Sequence, residues 1–147
     1  MVYVSLYKFL PELAMKETRT ITVLDCTHNI PAGEYGLLEL YCADVDCDCR
    51  RVLLTVLSRA SNASVAVIAY GWEDLKFYAK WYYMSEDVKG LSEDDLSQLA
   101  EIKGPCLNTA SPQSKYAPEI LKLVAEHTLS DKTYVDRLQQ HYKMFKK

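Results

Sequence analysis

YGLLELYC (Tyr35–Cys42), RVLLTVL (Arg51–Leu57) and SVAVIAYG (Ser64–Gly71) are three apolar runs separated by short polar gaps. Each is strand-length, rich in Val, Leu, Ile or Tyr, and bounded by turn-forming residues; Pro31–Gly33 precedes the first and Gly71 ends the last. Upstream, Thr18–Asp25 alternates, with Ile21 and Val23 on one side. The gaps are too short for helical crossovers, so the four runs predict an antiparallel meander. Both faces of the sheet carry apolar residues. Val52, Leu54 and Val56 point one way, Leu53 and Leu57 the other, and Val65 and Val67 oppose Ile68 and Tyr70. A sheet with one wet face alternates more cleanly, so either helices cover both faces or a second subunit covers one.

Residues 72–145 read as helical. Between Glu73 and Met84, Trp72, Leu75, Tyr78, Ala79, Tyr82 and Tyr83 form one arc and Phe77, Trp81 and Met84 a second, which predicts a helix buried on most sides. Ser92–Asp95 resembles a capping box before a short helix that stops at Gly104–Pro105. Residues 105–114 form a polar loop. Pro118 suits a first helical position, with Ile120, Leu123, Val124 and His127 on one face. Ser130 or Asp131 caps a last helix carrying Tyr134, Leu138, His141 and Phe145 on a stripe. Residues 2–13 mix both signals. The expectation is a single α+β domain over 1–147, with a four-stranded, mainly antiparallel sheet within about 18–71 and helices packed on it.

Composition narrows the function. The chain has 147 residues, 49% apolar and 25% charged, a globular balance. Its net charge of −3 offers no polybasic field for duplex nucleic acid. No apolar run is long enough to span a bilayer. Met1–Leu10 has no basic start, and Pro11 and Glu12 stand where a leader's small-residue cleavage site belongs, so it reads as folded structure. Five cysteines, three of them clustered, suit a reducing cytoplasm better than a disulfide framework. Ser-His-Asp, Gly-rich phosphate-loop, HExxH and EF-hand patterns are absent from the sequence.

The chemistry concentrates at Tyr41-Cys42-Ala43-Asp44-Val45-Asp46-Cys47-Asp48-Cys49-Arg50-Arg51. An even scatter would place about 0.3 cysteines in an eight-residue window; this one holds Cys42, Cys47 and Cys49. The turn between two paired strands brings such residues to one point, and soft thiolates suit tetrahedral zinc. The fourth ligand has several candidates. Cys26 and His28 follow the first strand, at the sheet end away from the cluster. Cys106 lies in a loop with reach, His127 and His141 lie on apolar helix faces, and Asp44, Asp48 or water complete the set. The alternatives to a metal are cysteines serving as small buried residues, or a redox thiol favoured by Arg50 and Arg51 and opposed by Asp44, Asp46 and Asp48.

The segment Glu39–Val52, with Pro31, Gly33 and Tyr35 ahead of it, resembles a family of uncharacterised prokaryotic proteins that share a YC-x4-CDCRRV pattern. Pro112-Gln113-Ser114-Lys115-Tyr116-Ala117 and the Arg137–His141–Tyr142 segment match that family's C-terminal features, so the resemblance spans most of the chain. It implies no particular reaction. It implies that the cysteines and His141 act together, which makes Cys42, Cys47, Cys49 and His141 the expected zinc ligands, with Cys106 or His28 as alternatives in the fourth place. The reading is a small cytoplasmic protein with a structural zinc, working through protein contacts or as a homodimer. Its rivals are an enzyme with an open zinc position, using Glu39 or Asp48 as acid or base, and a cysteine-based redox sensor.

Overall fold

A computed structural model describes residues 2–24 and 29–147. In chain order the elements are β1 (Tyr3–Ser5), α1 (Leu6–Phe9), α2 (Pro11–Glu17), β2 (Arg19–Val23), β3 (Gly33–Cys42), β4 (Arg51–Ser58), β5 (Ala63–Gly71), α3 (Leu75–Tyr83), α4 (Glu93–Lys103), β6 (Cys106–Leu107), α5 (Ala117–Leu123) and α6 (Lys132–Phe145). The protein is α+β with a helical C-terminal half, as expected. The sheet has six strands rather than four, and all five pairings are antiparallel. The two additional strands, β1 and β6, are three and two residues long. Runs that short show no periodicity, and only their pairing defines them.

The meander β3–β4–β5 forms the centre, with β6 on the far edge. On the near edge, β1 and β2 share β3. β2 pairs with Gly33–Leu37 and β1 with Leu40–Cys42. Leu38 and Glu39 fall between those two ladders, and the chain joining β1 to β2 is the α1–α2 pair. The β5 edge is closed by more than β6. The Gln113 carboxamide accepts from the Val67 N–H (2.9 Å) and donates to the Val67 carbonyl (3.1 Å), and the Ser114 N–H donates to the Val65 carbonyl (3.0 Å). An unpaired edge invites pairing with another chain, and these bonds occupy it.

Strand alternation builds the main core. Tyr35, Leu37 and Tyr41 of β3, Val52, Leu54 and Val56 of β4, and Ala66 and Ile68 of β5 pack with Ile120, Val124, Leu138 and Tyr142 from the C-terminal helices. Each fully buried Leu, Ile or Val contributes about 1.5–3 kcal/mol. The opposite face is only partly covered. Arg51 Nε donates to the Ile102 carbonyl (2.7 Å), tying α4 there, while Leu38, Leu40, Leu53 and Leu57 remain half-buried.

Several local readings hold. Ser92 and Asp95 form a reciprocal capping box, Asp131 caps α6, and Pro118 falls in the first turn of α5, one residue after its start. Two need correction. α3 is not buried on most sides: Tyr78 and Ala79 are buried against Leu99, while Leu75, Tyr82 and Met84 are exposed, because only α4 packs on it closely. His127 points to solvent although Ile120 and Val124 are buried. The chain widens into a π-turn over Val124–Thr128, with the Leu129 N–H bonding the Val124 carbonyl at 2.9 Å. The extra residue per turn rotates Thr128 inward in place of His127.

Candidate metal centre

β3 ends at Cys42 and β4 starts at Arg51, so the intervening turn carries Cys47 and Cys49 back toward Cys42. Asp44 tightens the turn: its carboxylate accepts from the Asp46 N–H (3.0 Å) and its carbonyl from the Cys47 N–H (3.1 Å). Arg50 takes a left-handed backbone, φ 50°, which reverses the chain into β4. Helices then hold this turn from two sides. Tyr142 of α6 donates its hydroxyl to Asp48 Oδ1 (2.9 Å) and accepts from the Arg50 N–H (3.3 Å), while Lys146 Nζ donates to the Asp44 carbonyl (2.8 Å). Tyr78 of α3 donates to the Arg50 carbonyl (2.8 Å). The Arg50 guanidinium pairs with Asp48 (3.0 Å) and sits 4.7 Å over the Phe77 ring.

The result brings the three sulfurs together. Cys42, Cys47 and Cys49 place their Sγ atoms within 4.8 Å of one another, a grouping able to hold a metal ion. Zinc–sulfur bonds of about 2.3 Å in tetrahedral array set sulfurs about 3.8 Å apart, a spacing within that limit, and would leave a fourth position to be filled. Cys42 and Cys49 are fully buried and Cys47 is half-buried. Without a metal, burial and then the neighbouring Cys49 and Cys42 push the Cys47 thiol up to about 12. A bound cation reverses that balance, because it stabilises thiolates directly. Cys42, Cys49 and Cys106 carry free thiols. The Tyr3 hydroxyl, beside Cys49, accepts from Arg51 (3.1 Å), and burial raises its pKa.

Among the described residues, the candidates for a fourth ligand have other partners. His141 is buried on α6, but both ring nitrogens have partners: Nδ1 lies 2.6 Å from Glu39 Oε1 and Nε2 3.2 Å from Glu17 Oε1. The Cys106 thiol, on β6, donates to the Glu101 carbonyl (3.0 Å). Asp48 is engaged by Arg50 and Tyr142. Cys26 and His28 lie outside the described residues. Among the described residues, the three cysteines form the whole group.

The structure also shows a buried polar cluster that the sequence reading did not assemble. The Tyr41 hydroxyl donates to Glu39 Oε1 (2.6 Å), the same oxygen that faces His141. Burial pulls the His141 imidazolium down, but the bonds and charges of Glu39 and then Glu17 outweigh it, so its pKa lies above 6.5. The signal was present: Glu39 stands between Leu37 and Tyr41 on the inward face of β3, and His141 shares the Tyr134–Leu138 stripe. An inward acid and an inward histidine in one domain ordinarily find each other.

No family model, no curated protein and no solved structure matches this chain. No helix among the described residues is long and apolar enough to cross a membrane.

Proposed function

We propose that Cys42, Cys47 and Cys49 bind one zinc ion, and that the ion is structural. The observation that carries this is the convergence of three cysteine sulfurs, two of them fully buried, at one turn. Zinc held there adds its binding energy to the closure of the β3–β4 turn. His141 is a poor fourth ligand on this reading, because Glu39 and Glu17 occupy it. Water, or a donor outside the described residues, completes the shell.

The absence of a fourth described donor favours one second reading, a zinc ion with an open water position and hence hydrolytic chemistry. It wants a free carboxylate nearby, and Asp48 and Glu39 are both already engaged. A redox sensor fits less well, since a thiol raised to about 12 holds little thiolate.

The protein then acts through contacts with other proteins, a second copy first among them, across the half-buried Leu38, Leu40, Leu53 and Leu57. Free thiols support a reducing, cytoplasmic setting. The chain's likeness to uncharacterised prokaryotic proteins with a YC-x4-CDCRRV pattern is part of the same proposal and rests on the sequence segments alone.

Elemental analysis of protein purified with zinc present should find about one ion per chain. Cys47→Ser should lower metal content and melting temperature together; unchanged values for both remove the structural zinc. Chelation that leaves the fold intact but abolishes a hydrolytic activity would move the assignment to the open site. Light scattering showing a monomer at high concentration ends the homodimer.

A further inference from the structure

The sulfurs of the β3–β4 turn form a donor set whose number and surroundings favour one kind of guest. Among the described residues the set stops at three, Cys42, Cys47 and Cys49, with their Sγ atoms within 4.8 Å of one another. His141, Cys106 and Asp48 are bound to other partners. Zinc wants four ligands, so it needs a donor that these residues do not supply. A trigonal centre with a lone pair in the fourth direction needs only three.

Charge separates the thiophilic candidates. Three thiolates leave copper(I) with a double negative charge and zinc with a single one. Trivalent arsenic is brought to neutrality. Cys42 and Cys49 are fully buried, and burying a net charge is costly unless it is paired. The cations at the turn have other partners. Arg50 is held by Asp48 and Glu73, Arg51 by the Ile102 carbonyl and the Tyr3 hydroxyl, and Lys146 by the Asp44 carbonyl. Asp44, Asp46 and Asp48 lie in the same turn and raise the cost of a negative complex further. A neutral complex meets neither penalty.

We propose that Cys42, Cys47 and Cys49 capture trivalent arsenic from arsenous acid, an inference that rests on the reading above that they act as one donor set. Each thiol gives its proton to one hydroxide of As(OH)3. Three As–O bonds break, three As–S bonds form and three waters leave. Arsenic stays trivalent, so no oxidant or reductant takes part. Cys47, the half-buried member, makes the first bond, and the two buried sulfurs beside it make the others. Tyr142, Tyr78 and Lys146 hold the turn in this shape, so little ordering opposes the second and third bonds.

The probe is sodium arsenite, added to the metal-free, reduced full chain and read by native mass spectrometry and by the near-ultraviolet absorption of As–S bonds. One arsenic gained with three hydrogens lost per chain is expected, and no uptake of arsenate. Cys47→Ser should weaken arsenite binding at least about a hundredfold. Cys106→Ser should bind arsenite as the parent does. Should Cys47→Ser unfold, the hydrogen count of the parent still decides the matter. Loss of two hydrogens rather than three overturns the proposal, as does arsenite binding that survives Cys47→Ser. A parallel zinc titration separates this proposal from the structural zinc. Zinc uptake without arsenite uptake overturns the arsenic site and keeps the zinc; arsenite uptake without zinc uptake does the reverse. Uptake of neither shows that the sulfurs do not act as one set, and both readings fall.

Discussion

Tyr142→Phe isolates the device that holds the cysteine turn. The substitution removes one oxygen and keeps the ring, so the edge contacts with Trp72 (5.2 Å) and Tyr41 (6.0 Å) persist. Two bonds vanish. The one to Asp48 is charge-assisted, about 1.5–3 kcal/mol in a dry setting, but the Asp48 side chain is 61% exposed and water replaces much of it. The Arg50 N–H is partly buried, and stranding it costs about 1 kcal/mol. Together the loss is about 2 kcal/mol, which for a chain of this size lowers the melting temperature by about 4–8 °C. Asp48 and Arg50 flank Cys49, so zinc affinity should also fall, by about tenfold as for other groups that orient ligands. Thermal denaturation followed by circular dichroism and competition with a chromophoric chelator read the two effects. A variant that melts within about 1 °C of the parent and keeps its zinc affinity would refute the idea that α6 holds this turn.

Three further outcomes are expected. His141 has a raised pKa in the folded state, so its contribution to stability is complete below 6.5 and is lost as pH rises through the folded value. Urea midpoints of metal-free protein should fall across that interval, and a rise there would contradict the assignment. Gly71→Ala places a methyl against the Tyr78 hydroxyl, displacing it from the Arg50 carbonyl; a loss of about 1–3 kcal/mol should appear in urea titration. Gln113→Ala strands the Val67 N–H, while the Val67 and Asn108 carbonyls keep the Asn108 and Ser111 N–H groups, and should cost about 1–3 kcal/mol with faster aggregation by light scattering.

The long strands were readable because each is longer than the stretch over which alternation shows itself. The expected Arg51–Leu57 became Arg51–Ser58, and Ser64–Gly71 became Ala63–Gly71. Capping residues were readable for the same local reason: the Ser92 hydroxyl and the Asp95 carboxylate act within one turn of helix. β1 and β6 were not, because three or two residues become strand only when β3 or β5 is beside them. His127 was misplaced because a 3.6-residue period cannot foresee a π-turn. The sulfurs of Cys42, Cys47 and Cys49 were legible as a group since one turn spans them. The partners of His141 were not, as Glu17 and Glu39 lie 124 and 102 positions away along the chain.

The Gln113 clamp has a meaning for how the sheet keeps its alignment. A carboxamide is a peptide unit carried on a side chain, so it satisfies Val67 as a seventh strand would. Unlike a strand, it has no next residue to slide into place. Between the Ser114 bond and the β6 pairing, the outer margin of β5 is thus fastened at one fixed rung, and any one-step slippage there forfeits both carboxamide bonds.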